Sequence, residues 1–294
     1  MKQNLIKGYL FAILSAIIYG CMPLMSKYIY ADGVNPLTLV FLRNAFSIIP
    51  LGILAYFKNK TLRISMHLLP KISLISILGC SLTPVLLFSS YRFIASGTAT
   101  VFHFIYPAIV ILIEIVFLKN KVQFYKIAGV LLCVFGISLF YTPQQSLDLS
   151  GSLLALSSGI TFAVYVVLLS HFDRGNVSGF LFCFYITFIS SIVLLIVCLV
   201  TNSLTLPATA FCWGLCILFS LAVTTGAVVL FQQSTFYIGG ERTSILSTLE
   251  PITSVVLGVV IFREPFGFRT LAGTALVVAA SITTALMDLK RKTE

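Results

Sequence analysis

The chain has 294 residues, 59% hydrophobic and 10% charged, and a mean hydropathy of +1.05. A water-soluble domain carries roughly 25% charged residues, so most outward side chains here must face something other than water, and lipid is the medium that fits. The net charge of +10 raises nucleic acid as a partner, but the cations are scattered at segment ends and form no basic patch, which excludes that class.

Met1 to Leu5 is too short and too polar for the leading part of a cleaved signal peptide, so the first apolar stretch is expected to be a retained span. About 20 apolar residues cross a bilayer. On that basis the sequence predicts ten helical spans, at 7–29, 36–57, 70–92, 95–118, 122–141, 151–170, 178–200, 210–236, 242–262 and 267–288. Turns marked by Asp32-Gly33, Thr142-Pro143 and Gly239-Gly240 separate them and leave no room for a soluble domain. The seven cysteines all fall in apolar segments, are odd in number and form no CxxC, so they read as small hydrophobic side chains.

Lys and Arg orient the spans. With the N-terminus cytoplasmic, 14 of the 19 lie on the inner side. Lys27, Arg92, Arg263 and Arg269 lie outside, and Arg43 falls within a span. This bias predicts a multi-pass protein of the cell membrane with both termini cytoplasmic.

An internal repeat resets the fold reading. Gly8, Ala12, Ala16 and Gly20 recur every fourth position, as do Gly151, Ala155, Gly159 and Ala163, shifted by 143. Positions four apart share a helix face, so each of these helices has a ridge without bulk that lets another backbone approach closely. Later in each half Pro107 aligns with Pro251, shifted by 144. The halves are therefore 1–145 and 146–294, each with five spans. Because five is odd, the second half enters from the opposite side. The predicted fold is all-α integral membrane, ten transmembrane helices in two inverted five-helix repeats. Such repeats, with a site near the midplane between them, characterise many secondary transporters.

Three stretches carry a family resemblance. The first is Tyr91-Arg-Phe-Ile-Ala-Ser-Gly-Thr-Ala-Thr with Tyr106-Pro107. The second is Tyr237-Ile-Gly-Gly-Glu-Arg-Thr-Ser-Ile-Leu-Ser-Thr-Leu-Glu250-Pro251. The third is Phe262-Arg-Glu264-Pro265 with Leu271-Ala-Gly273. With Pro36 and Arg43, they make the chain resemble the drug/metabolite transporter superfamily, specifically its EamA-type ten-helix members, over essentially its whole length. The resemblance implies a central metabolite cavity and, for many members, export of amino acids or related compounds. Two positions depart from the family pattern. A Trp-Gly in the first helix is Tyr19-Gly20 here, and a Glu after the fourth helix is Asn120, while its counterpart Glu264 is kept.

Ionisable residues within spans are candidates for function. Glu250 lies about 12 Å into its span and precedes Pro251, whose missing N–H frees a carbonyl one turn back. It either binds an amine or a coupling proton, or pairs with a cation on a neighbouring helix. His103, four residues before Pro107, accepts a proton, bonds a substrate or bonds another helix. Arg43 either grips a carboxylate or snorkels outward. Glu114 shares the His103 stripe, but its nearness to Lys119 and Lys121 favours interfacial snorkelling. Ser247 lies on the matching stripe of the ninth span. Thr83-Pro84 and Thr224-Thr225-Gly226 are expected to interrupt the third and eighth spans, with Gln232 just beyond. Tyr19 and Tyr106 are the aromatic residues assigned to a cavity.

No P-loop, His-Glu-x-x-His or other cofactor motif is present in the sequence, and none of catalysis or metal binding is expected. The leading expectation is a secondary transporter of a small amphipathic metabolite, acting as an exporter by alternating access. Its partners are that small molecule and the bilayer, with proton coupling through Glu250 as an option; the sequence sets no oligomeric state. A membrane enzyme acting on a lipid or isoprenoid would need a polar cluster at one membrane face, and a scaffold would need a long loop or tail. The loops and ends offer neither.

Overall fold

The computed structural model describes residues 2–94, 96–117, 124–139, 148–173, 175, 177–262 and scattered residues between 268 and 287. Among the described residues six helices are long and apolar enough to cross a bilayer: α1 (Asn4–Ala31), α2 (Pro36–Asn59), α3 (Met66–Ser90), α6 (Leu149–Ser170), α7 (Gly179–Val200) and α8 (Ala210–Ile238). Between them lie α4, in two pieces (Ser96–His103 and Tyr106–Val116), and α5 (Phe124–Ser138). After them comes α9, also in two pieces (Gly240–Leu246 and Leu249–Phe262). Half of the tenth predicted span, the join at 140–147, and Asn120 and Glu264 lie outside the described residues. The chain is an all-helical integral membrane protein of two inverted five-helix repeats.

Helix starts follow from capping chemistry. Side chains of Asn35, Asp148, Ser178 and Thr209 accept the amides of Thr38, Gly151, Leu181 and Cys212, satisfying N–H groups that have no partner within the helix. Alpha-8 and α9 are joined by Gly239 alone, at φ 87°, a backbone that side chains rarely tolerate. Large apolar side chains such as Ile49, Phe57, Ile196 and Phe211 point outward, as a lipid-facing surface requires.

The two small-residue ridges are both sites of close helix contact. Alpha-1 lies along α8 and α9: Gly8 meets Ile238, Ala12 is fully buried, and Gly20 meets Thr253 and the Glu250 carbonyl. Alpha-6 repeats this against α3 and α4: Gly151 meets Phe93 and Ile94, and Gly159 meets the His103 carbonyl. Each ridge thus lies beside a helix break, at Phe104–Ile105 in α4 and at Ser247–Thr248 in α9, again 143 positions apart. Pro107 removes the N–H that would have bonded His103 O, and the glycine lets a Cα approach that orphaned oxygen closely. Pro251 does the same to Ser247 O, which accepts the Glu250 amide at 2.9 Å instead.

The third and eighth spans differ from expectation. They are not interrupted; both run through as helix, with a π-helical stretch at Ile77–Leu82 in α3 and at Ser220–Val228 in α8. The starts, Ile77 and Ser220, are also 143 positions apart. Pro84 is therefore not a break. The widened π turn admits its ring, and within that turn Cys80 O accepts Asn44 Nδ2 at 3.2 Å. Pro107 and Pro251, by contrast, do accompany breaks.

Two mirrored hydrogen-bond sets tie these π segments to their neighbours. Ser220 Oγ donates to Arg43 O, and Thr225 Oγ1 to Ser47 Oγ at 3.1 Å, joining α8 to α2. Ser76 Oγ donates to Ile186 O, and Ser81 Oγ shares a 2.7 Å bond with Ser190 Oγ, joining α3 to α7. At one membrane face Asp32 clamps the loop before α8, its carboxylate accepting Ala208 N at 2.7 Å, Thr209 N at 3.1 Å and Thr209 Oγ1 at 3.0 Å.

Two outcomes follow from this packing. A Cβ at Gly159 would sit 2.6 Å from His103 O, a backbone atom that cannot yield. Gly159→Val should lower stability by about 1–3 kcal/mol in detergent melting, whereas Gly214→Ala, whose Cβ meets nothing within 4 Å, should not destabilise. The Asp32 carboxyl is held below its ordinary 3.8, chiefly by the Thr209 amide. Its contribution is thus fully present above 3.8 and lost as pH falls through the lower folded value. Asp32→Asn should lower the melting temperature at neutral pH and flatten the acid limb of a melting-temperature-against-pH curve.

Candidate functional site

Between the halves lies a cavity with about 590 Å³ of empty space, counted to its mouth. Its walls come in symmetry-related pairs. Tyr19 and Phe162 are 143 positions apart, as are Met22 and Tyr165, and Phe88 and Phe231; all six line the cavity. The space therefore straddles the axis relating the repeats.

The rings form one connected box. Phe162 is central, 4.7 Å from Tyr106 edge-on, 5.4 Å from Tyr165 and 5.4 Å from Phe231 between centroids. Tyr19 meets Phe231 edge-on at 6.5 Å. Aromatic walls offer apolar area with little rotamer entropy, and faces that attract cations.

Polar groups enter this box from broken or tied helices. Arg43 extends from α2, its peptide held by Ser220. Its side chain is 4% exposed, and its guanidinium carbon lies 5.8 Å from the Phe88 centroid. It points into the cavity and does not snorkel. Nε has no hydrogen-bond partner, and among the described residues no carboxylate lies within 4.0 Å. Glu250 lies in the first turn of the second piece of α9, where the helix dipole favours a negative charge. It lines the same cavity and forms no ion pair with Arg43. Leaving two opposite charges separately unpaired in such a site is costly, unless a third party meets both.

His103 and Ser247 end the first pieces of α4 and α9 and also line the cavity. His103 Nδ1 lies 2.8 Å from Ser158 Oγ, while Ser247 Oγ donates to Thr243 O at 2.9 Å. Tyr106 is buried at the wall beside Pro107.

The structure thus brings Glu250, His103, Arg43, Tyr19, Tyr106 and Ser247 to one space, with Pro84 on its wall. Gln232 stands apart. It is fully buried behind the wall, donates from Nε2 to Tyr165 OH at 3.1 Å and accepts Cys183 Sγ at 2.7 Å. It positions the Tyr165 ring, which lies against Gly79. Glu114 does not snorkel either: it is 4% exposed and meets His171 Nε2 at 2.9 Å, because α6 ends beside it. Sequence reasoning missed Phe88, Phe162, Tyr165 and Phe231. Carrying Tyr19 forward by the repeat shift would have found Phe162.

The sequence matches the EamA-like transporter family over residues 6–142 and 149–286. A protein of Clostridium kluyveri described as an uncharacterized transporter is 22% identical over 289 residues, covering 94% of this chain and 92% of its own. Another of that description, from Archaeoglobus fulgidus, is 24% identical and covers 74% and 77%. A WAT1-related protein of Arabidopsis thaliana is 32% identical over 116 residues, covering 39% of this chain and 34% of its own. A solved crystal structure superimposes with a TM-score of 0.74 over 98% of each chain at 18% identity, a likeness of fold.

The wall behind Tyr165 is directly testable. Tyr165→Phe keeps the ring but strips Gln232 Nε2 of its acceptor, and a buried unsatisfied donor costs about 1–3 kcal/mol. The variant should melt lower than the parent by that amount, and the double variant Tyr165→Phe with Gln232→Leu should recover part of the loss.

Proposed function

Because this chain belongs to the EamA-like transporter family, we propose that it exports a small amphipathic zwitterion, an amino acid or a related compound, across the cell membrane by alternating access. The observation that carries this reading is the pair Arg43 and Glu250, unpaired with each other yet lining one cavity. A guanidinium offers a fork of donors to a carboxylate, and a carboxylate accepts from an ammonium. A zwitterion meets both, and the aromatic box takes its apolar remainder. The inverted repeats supply two related packings opened to opposite sides. The Lys and Arg bias supports cytoplasmic termini, and export follows the resemblance to family members that export amino acids. The sequence carries no nucleotide-binding motif, which favours a gradient as the energy source.

The purified chain in proteoliposomes should accumulate labelled amino acids in preference to nucleosides or quaternary amines. Arg43→Gln and Glu250→Gln should each weaken uptake by at least about 30-fold, since removing one partner of a desolvated charge pair costs about 2–5 kcal/mol. If Glu250 also carries a coupling proton, Glu250→Gln abolishes concentrative uptake while exchange persists. Undiminished uptake in both single variants would sink the zwitterion reading.

A further inference from the structure

The polar group of the cavity with the most defined chemistry is His103, and its definition comes from a residue behind it. Ser158 Oγ has one proton and two near neighbours, Ala155 O at 2.6 Å and His103 Nδ1 at 2.8 Å. A carbonyl oxygen only accepts, and at 2.6 Å it takes the hydroxyl proton. The bond to the ring then needs its proton from the other side, from Nδ1–H. In an apolar box of rings the neutral imidazole is the favoured form, and it carries one N–H. Nε2 is left with a lone pair. Among the described residues Nε2 has no hydrogen-bond partner, and it is not among the sealed, unsatisfied side-chain atoms. It faces the cavity that His103 lines.

The arrangement exists in one half of the molecule. Ser15, 143 positions before Ser158, donates across to Ala227 O at 2.8 Å. The counterpart of His103, four residues before Pro251 as His103 is before Pro107, is Ser247, which donates within its own helix to Thr243 O at 2.9 Å. A residue serving only the helix packing has no cause to break the repeat in this way, since both halves pack equivalent ridges against equivalent breaks.

We infer that Ser158 is a positioning residue that fixes His103 as the Nδ1–H tautomer, so that Nε2 accepts a hydrogen bond in the cavity and selects substrates carrying an O–H or N–H donor on their side chain. This rests on the cavity being the substrate site. Arg43 only donates, and Glu250 is engaged by the ammonium. The Tyr and Ser hydroxyls of the lining both donate and accept, whereas His103 Nε2 only accepts, and it distinguishes a hydroxylated substrate from its apolar twin. A fixed acceptor left without its donor penalises the analogue that lacks it.

Nitrogen-15 NMR of histidine-labelled full chain in nanodiscs tests the first half, with His103→Gln assigning the resonance. The parent should show a protonated Nδ1 and a bare Nε2. Ser158→Ala should release the ring toward the Nε2–H form. A protonated Nε2 in the parent, or an unchanged tautomer in Ser158→Ala, overturns the proposal. Binding of L-tyrosine against L-phenylalanine, and of L-threonine against L-2-aminobutyrate, tests the second half. In each pair the members differ by one hydroxyl. The parent should favour the hydroxylated member of at least one pair by about tenfold, and Ser158→Ala should abolish that preference while keeping its affinity for the deoxy member. Equal affinities within both pairs in the parent overturn the selectivity. Binding of none of the four overturns the zwitterion reading instead, and the tautomer measurement then decides the role of Ser158 by itself.

Discussion

Hydrocarbon offers a backbone amide nothing to bond with, and the architecture can be read as a set of answers to that constraint. A proline within a span frees backbone carbonyl capacity, and near Pro84, Pro107 and Pro251 protein meets the opened backbone. Cys80 O receives Asn44 Nδ2, Ser247 O receives the Glu250 amide, and His103 O is covered by Gly159. The small-residue ridges are the means of cover at the breaks, since only a helix without side-chain bulk comes near enough to shield an open turn. Irregular backbone is confined to places where protein or a cavity surrounds it, and those places lie together between the repeats.

On this shared scaffold the chemistry is asymmetric. The ridges, breaks, π segments and serine ties recur at a shift of 143 or 144 positions, whereas the polar groups do not. Arg43 corresponds to Ile186, whose carbonyl accepts Ser76 as Arg43 O accepts Ser220. Glu250 and Tyr106 each precede a break-associated proline, and His103 and Ser247 each stand four residues before one. A symmetric frame supports two packings of related energy, while a single set of polar groups on its axis keeps one substrate chemistry available in both. The rings obey the symmetry more closely, with Tyr19 against Phe162 and Phe88 against Phe231. Apolar enclosure, unlike charge recognition, can be supplied equally from either half.

The hydroxyl ties fix where the π segments sit. Alpha-2 and α7 hold the π segments of α8 and α3 through side-chain hydroxyls, and such segments are frequent at functional sites. Arg43 is attached to one of them through its own peptide, whose carbonyl accepts Ser220.

Much of this protein was legible before folding was considered. Hydropathy set the spans, because a bilayer's thickness converts directly into residues per helix. The odd number of spans per repeat made the halves inverted, and the four-residue ridges marked the two helices of closest approach. The cavity residues Tyr19, Arg43, His103, Tyr106, Ser247 and Glu250 were visible as polar or aromatic residues within spans, the last four beside Pro107 or Pro251. Three things waited for the tertiary structure. Pro84 passes as part of a continuous helix because it follows a π turn in which Asn44, on another span, bonds Cys80 O. Gln232 turned out to support Tyr165 from behind, and Glu114 to face His171 on α6. In each case the deciding partner lies on a different helix. Periodicity along one helix tells which face a residue occupies, but which helix that face meets, and whether a polar side chain finds its partner there or is left open to a cavity, is decided only by the packing of the helices around one another.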